Sequence, residues 1–160
     1  MKVNTQAIAS FRKGASLALN GAGLLPLTWS DEDWNCLFKF TDYLQVPAGE
    51  ALVKRNEVSR TLFFILQGSL EVFIHSADGI GMGSVSKEGA GTIFGEVGFF
   101  DGKGRSASVW AVDTCDAASM TLEQFESLEQ AHPNLARDLL FALGRVMATR
   151  LRRAAPKFGR

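Results

Sequence analysis

The residues with the most chemistry in them lie in one stretch, Phe94-Gly95-Glu96-Val97-Gly98-Phe99-Phe100-Asp101-Gly102-Lys103-Gly104-Arg105-Ser106-Ala107-Ser108-Val109. A β-rich run ends at Phe94 and a glycine follows. Glu96 to Phe100 is long enough for one or two helical turns. The first N–H groups of such a turn have no partner inside it and suit an anion. Gly95 lets that backbone approach a ligand closely. The loop Asp101-Gly102-Lys103-Gly104 then returns to Arg105, just before the next strand. A guanidinium is a permanently charged planar fork that matches phosphate oxygens, and the Ser106 hydroxyl stands beside it. Glu96, at the other end of the loop, can accept hydrogen bonds from a pair of sugar hydroxyls. An acid and a base placed this way suit a sugar phosphate. Taken one residue at a time, a plain salt bridge between Glu96 and Arg105 that closes the loop is the simpler reading.

The elements that must position this stretch are short. From Tyr43 onward, β-rich runs alternate with glycine-containing turns, a pattern of a β-roll or sandwich and not of a parallel α/β sheet. Leu62-Phe63-Phe64-Ile65-Leu66 reads as a strand. Gly68-Ser69 makes a corner before Leu70-Glu71-Val72-Phe73-Ile74, and the pair is predicted to be a hairpin. Further strands are expected at Ala107–Val112 and Ala117–Met120. Helices flank the roll. Residues 5–19 carry Ile8, Phe11, Ala15 and Leu19 on one stripe, with Gly21 and Gly23 as the stop. Ser30 and Asp33 form a cap signal for a helix through about Phe40, with Trp34, Leu37 and Phe38 inward. Thr121 and Gln124 form a capping box for a helix through Glu129. Pro133 opens a longer helix, on which Leu139, Leu140, Leu143, Val146, Met147 and Leu151 recur at spacings of three and four.

Taken as a whole, the stretch resembles the phosphate-binding cassette of the cyclic nucleotide-binding domain family. That family includes catabolite activators, regulatory subunits of cAMP-dependent protein kinase and nucleotide-gated channels. The pattern F-G-E, a short helix, then R-[STA]-A-x-V is present at Phe94 to Glu96 and Arg105 to Val109. Upstream, Val46-Pro47-Ala48-Gly49-Glu50-Ala51-Leu52 and the run from Leu62 to Val72 are similar to the family's first strands and their glycine turn. The resemblance spans roughly residues 24–155. It implies an eight-stranded β-roll (jelly roll) with N-terminal helices and a C-terminal lid helix, mainly β, divided as a helical extension over 1–23 and the binding domain over 24–160.

The resemblance also implies roles. Glu96 would accept from the ribose 2′-hydroxyl, and Arg105 would pair with the exocyclic phosphate oxygens. Backbone N–H groups at Gly95, Glu96 and Ala107, with the Ser106 hydroxyl, complete a cradle flanked by Phe94 and Val97. Val85 and Ser86 neighbour the purine. Thr149 or Arg150, on the lid, falls near the base. The expected ligand is cAMP in preference to cGMP, with no other cofactor. Two departures stand out. Asn56 replaces a frequent glycine, at little cost because asparagine tolerates the left-handed conformation. Gly104 replaces a frequent proline, which is expected to loosen the loop.

The bulk numbers agree with one soluble domain. The chain has 160 residues, 46% of them apolar and 21% charged, with 17 basic and 17 acidic side chains. A nucleic-acid-binding domain usually shows a net basic face, so no DNA partner is expected. The basic residues Arg145, Arg150, Arg152, Arg153, Lys157 and Arg160 read as the solvated face of the last helix. With nine residues after Leu151, no DNA-reading helix-turn-helix is expected. Cys36 and Cys115 lack metal-site spacing and are expected as free thiols in the cytoplasm. His75 and His132 are too isolated for a cupin-like metal enzyme. No nucleophile–base set is visible, so no enzymatic activity is expected. No apolar run approaches the roughly 20 residues of a membrane span. The partners expected are the nucleotide, an unidentified effector protein and a second copy docked through residues 139–151. The other reading is a degenerate β-roll that kept the fold, lost the nucleotide and serves as an interaction module.

Overall fold

The computed structural model describes residues 2–17, 28–76 and 81–155. Helices α1 (Thr5–Leu17) and α2 (Asp31–Lys39) precede strands β1 (Asp42–Val46), β2 (Ala51–Val53), β3 (Thr61–Gln67), β4 (Leu70–His75), β5 (Met82–Glu88) and β6 (Ile93–Phe94). Helix α3 (Glu96–Asp101), β7 (Ser108–Ala111), β8 (Cys115–Thr121), α4 (Leu122–Ala131) and α5 (Pro133–Ala154) follow. The strands form two antiparallel four-stranded sheets, ordered β1-β8-β3-β6 and β2-β7-β4-β5. This is the predicted eight-stranded roll with flanking helices. The predicted stop at Gly21 and Gly23, the Leu19 position and the 23/24 domain boundary lie outside the described residues.

The sheets explain why the run Leu62 to Leu66 is apolar without alternation. Leu62, Phe64 and Leu66 face a core shared with α1, α2, α4 and α5. Ile65, with Phe63 beside it, faces a second core between the sheets, among Val46, Leu70, Val109 and Ala117. A strand buried on both faces has no polar side to show.

The predicted β3–β4 hairpin is not formed. β3 pairs with β8 and β6, whereas β4 pairs with β5 and β7. The Gly68-Ser69 corner carries the chain from one sheet to the other. Gly68 takes φ 94°, and a Cβ there would lie 2.6 Å from the Cys115 sulfur. The Ser69 N–H donates to Asp113 Oδ1 at 2.7 Å, so the corner is tied to the β7–β8 turn.

Both capping boxes are present. Ser30 Oγ accepts from the Asp33 N–H, and Asp33 accepts from the Ser30 N–H. Thr121 and Gln124 do the same for α4, which runs to Ala131, two residues past the predicted end. On α1, Ile8, Phe11 and Ala15 are buried. The Phe11 ring meets those of Trp34, Phe38 and Phe64 at 5.7–6.0 Å between centroids. On α5, Leu139, Leu143 and Val146 are buried against the roll, and the exposed large apolar side chains are Phe141 and Leu151. The predicted dimer stripe is therefore mostly inward. Among the described residues, no helix is long and apolar enough to cross a membrane.

Candidate ligand site

A cavity of about 1250 Å³ opens between the inner face of β2, β4, β5 and β7, the stretch from Phe94 to Ala107, and the last turns of α5. It is somewhat larger than the roughly 300–1,000 Å³ of ordinary ligand pockets. Val53, Val72, Ile74 and Val109 give it an apolar wall. Val72 and Ile74 alternate along β4, and that period of two was the available signal for them.

Gly95 takes φ 89° and α3 starts at the next residue. A side chain at Gly95 is barred twice. The φ is left-handed, and a Cβ would lie 2.5 Å from Arg105 Nη1 and overlap the Thr61 carbonyl. The glycine therefore makes room for the guanidinium itself.

Arg105 is 4% exposed. Its Nη1 donates to the Gly95 carbonyl at 3.1 Å and its Nη2 to the Thr61 carbonyl at 2.9 Å. The guanidinium carbon lies 5.6 Å from the Phe63 ring centre. Nε is buried and has no partner among the described residues. Burial pushes the Arg105 pKa below its ordinary value, against the opposing pull of the Glu57 and Glu96 carboxylates. The backbone beside it is clamped: Arg105 N–H donates to the Glu57 carbonyl and Asn56 N–H to the Arg105 carbonyl, both at 2.9 Å.

Glu96 is also buried, but its ion pair is with Arg150, at 2.5 Å, and not with Arg105. Arg150 Nη2 further donates to the Ile93 carbonyl at 2.7 Å, and its guanidinium lies over the Phe94 ring. The plain Glu96–Arg105 salt bridge is therefore not formed. The arrangement leaves a buried cation with no carboxylate ion pair among the described residues, beside a carboxylate held by the last helix. That cation suits a phosphate.

The cavity lining brings together Phe94, Gly95, Glu96, Val97, Arg105, Ser106, Ala107, Val85, Ser86 and Arg150. Thr149 does not line it. Neighbours on a helix point about 100° apart, so one of the pair faces the cavity. Met147, Leu151 and Arg153 from α5 and Lys87 from β5 line it as well; the sequence placed the first two on a packing stripe and Arg153 on a solvated face, and none of the four at the site. Gly104 is held tightly: it bridges to Val58, and a Cβ there would come within 2.9 Å of Asn56 Cα and O. Glycine is what lets the two backbones cross here.

The profile described as "Cyclic nucleotide-binding domain" matches residues 43–132. This chain belongs to the cyclic nucleotide-binding domain family. The chain is 34% identical over 114 residues to the cAMP-activated global transcriptional regulator CRP of Salmonella typhimurium, covering 71% of this chain and 52% of that protein. It is 34% identical over 116 residues to the cAMP-activated global transcriptional regulator Vfr of Pseudomonas aeruginosa, covering 70% and 52%. The chain thus spans about half the length of these relatives. A solved cyclic nucleotide-binding domain from Methylobacillus flagellatus superposes with a TM-score of 0.75 at 25% identity, over 90% of this chain and 82% of that one. The family is a binding and regulatory one, not a catalytic one.

Proposed function

We propose that this domain is a receptor for a purine cyclic nucleotide, cAMP in preference to cGMP, and that occupancy repositions α5 to signal to a partner protein in the cytoplasm. The observation that carries this is Arg105: buried, lacking a carboxylate ion pair, with Nε unsatisfied among the described residues. A buried charge left this way is costly, and a phosphate in the adjoining cavity would offset that cost. The Ser106 hydroxyl and the N–H groups of Gly95, Glu96 and Ala107 would share the phosphate. Glu96 would take the ribose 2′-hydroxyl, and Val85 and Ser86 would flank the base. The preference for cAMP rests on Ser106 and on the relatives described as cAMP-activated.

Signalling follows from Arg150, which ties α5 to the residue that would hold the ribose. A sugar hydroxyl arriving at Glu96 competes with or reinforces that tie. A ligand shifts α5 only by as much as it binds one arrangement better than the other. Exchange of backbone amides over 133–153 would slow or quicken on binding, and identical exchange with and without ligand would refute the lid. A second copy would dock on Phe141, Gly144, Ala148 and Leu151 of α5, all exposed and spaced as a coiled-coil seam, with Ala148 and Leu151 also lining the cavity. Light scattering of the protein with and without nucleotide tests it.

The decisive test is calorimetric titration with cAMP and then cGMP, alongside Arg105→Ala. Removing one partner of a buried charge pair costs roughly 2–5 kcal/mol, about 30-fold to a few thousand-fold in affinity. Unchanged affinity in the variant, or no heat with either nucleotide in the parent, refutes the receptor.

A further inference from the structure

We propose that Arg60 is a positioning residue for this site, bracing α3 from outside the cavity so that the cassette stays in its binding geometry. The proposal rests on the receptor reading. Arg60 ends the β2–β3 connection and is absent from the cavity lining. Its Nε donates to the Phe99 carbonyl at 2.8 Å and its Nη2 to the Phe100 carbonyl at 3.3 Å. Those carbonyls belong to the last turn of α3, where helix acceptors have no partner of their own. A cation is also favoured at that end of a helix. An isolated helix shorter than about 12–15 residues does not hold itself together in water, and α3 has six. Its stability must come from what grips it.

The residues on either side of Arg60 grip the same unit. The Ser59 carbonyl comes within 3.3 Å of where a Cβ at Gly98 would stand. The Thr61 carbonyl accepts from Arg105 Nη2. One three-residue segment therefore holds the far end of α3 through a side chain and the guanidinium of Arg105 through a backbone carbonyl. Glu96 and its neighbouring N–H groups lie at the other end of the same short helix. If the last turn frays, the spacing between those groups and Arg105 is no longer fixed, although no atom that would touch the ligand has changed.

The experiment compares the parent, Arg60→Lys and Arg60→Ala by calorimetric titration with cAMP, with melting temperatures and amide exchange at Gly102 recorded for each. Gly102 N–H closes α3 on the Gly98 carbonyl at 2.9 Å. Arg60→Ala is expected to weaken binding about three- to tenfold, the worth of one or two net hydrogen bonds, with faster exchange at Gly102 and the fold intact. Arg60→Lys, which keeps the charge and one donor, is expected to recover part of both. Parent-like affinity in Arg60→Ala, or Arg60→Lys no better than Arg60→Ala, overturns the bracing role and leaves the receptor standing. A parent protein that binds no nucleotide overturns the receptor, and the role of Arg60 with it.

Discussion

Arg150 on α5 reaches Glu96 on α3 across 54 positions of sequence, with its Nη1 2.5 Å from Oε1. Arg150 is 28% exposed at its side chain and Glu96 6%, so the pair is shielded on the carboxylate side. Removing the arginine strands a buried carboxylate, which costs about 1–3 kcal/mol of stability. Arg150→Met is expected to lower the urea midpoint accordingly. Glu96→Gln added to it should restore much of the loss, because a neutral amide is far cheaper to bury than an unpaired charge. Urea unfolding of the two single variants and the double variant checks this. Additive losses would mean that the pair does not act as a unit.

Much of the site was legible because its groups are strung along one contiguous stretch. The spacing of Glu96 and Arg105 already defined the loop that the structure shows. Arg150 was placed near the base only by resemblance, and its pairing with Glu96 was not legible. Which of Thr149 and Arg150 faces the cavity depends on the rotation of α5 as packed through Leu139, Leu143 and Val146. The roll was legible from its short runs and turns. The β3–β4 hairpin was misread because a Gly-Ser corner has the same local signal whether it folds a hairpin or crosses between sheets. What settles it is β8, which lies against β3 on one side and β1 on the other, and that pairing is non-local.

Gly104 gives a direct test of the crossing with Asn56. Asn56 holds φ 67°, and its N–H is fixed on the Arg105 carbonyl, so neither backbone has room to retreat. Gly104→Ala is expected to cost about 1–3 kcal/mol, the usual range for forced overpacking. It should also weaken nucleotide binding, because the displaced backbone is the one that carries Arg105. A chemical denaturation curve that superposes on the parent would show the crossing to be slack.

The two thiols should respond differently to chemistry. Cys115 is fully buried, and its one S–H is shared between the Ser69 and Asp113 carbonyls, each 3.2 Å from the sulfur. Burial, reinforced by the Asp113 carboxylate, pushes its pKa from 9.0 up to about 11. In the native protein near pH 8, a thiol reagent should therefore modify Cys36, which is only partly buried, and reach Cys115 only on unfolding. The sign of the pH effect follows. Below pH 9 both states keep the proton, and between about 9 and 11 the unfolded chain releases it first, so stability falls as pH rises through that window. Cys115→Ala should lack that part of the alkaline slope. Rapid labelling of both thiols in the native protein would contradict the burial.

The contact between α1 and the β5–β6 turn carries the sharpest steric prediction. A Cβ at Gly14 would overlap the Ala90 carbonyl, and one at Gly91, which holds φ 90°, would overlap the Ala15 backbone. Helix and turn therefore touch backbone to backbone, and neither clash can be relieved by a flexible side chain. The Gly91 N–H is in turn fixed on the Ile65 carbonyl at 2.9 Å, so the turn cannot move without disturbing β3. The turn joins β5, which carries Val85 and Ser86, to β6, whose Ile93 carbonyl accepts from Arg150. Gly14→Ala must push α1 away, opening the core around Phe11, Trp34 and Phe64. The expected cost is about 1–3 kcal/mol or somewhat more, read as a lower urea midpoint. Amide exchange over 5–17 should rise more than over 115–121, because β8 is held by strands on both sides. If α1 were a loosely attached extension, Gly14→Ala would change neither quantity.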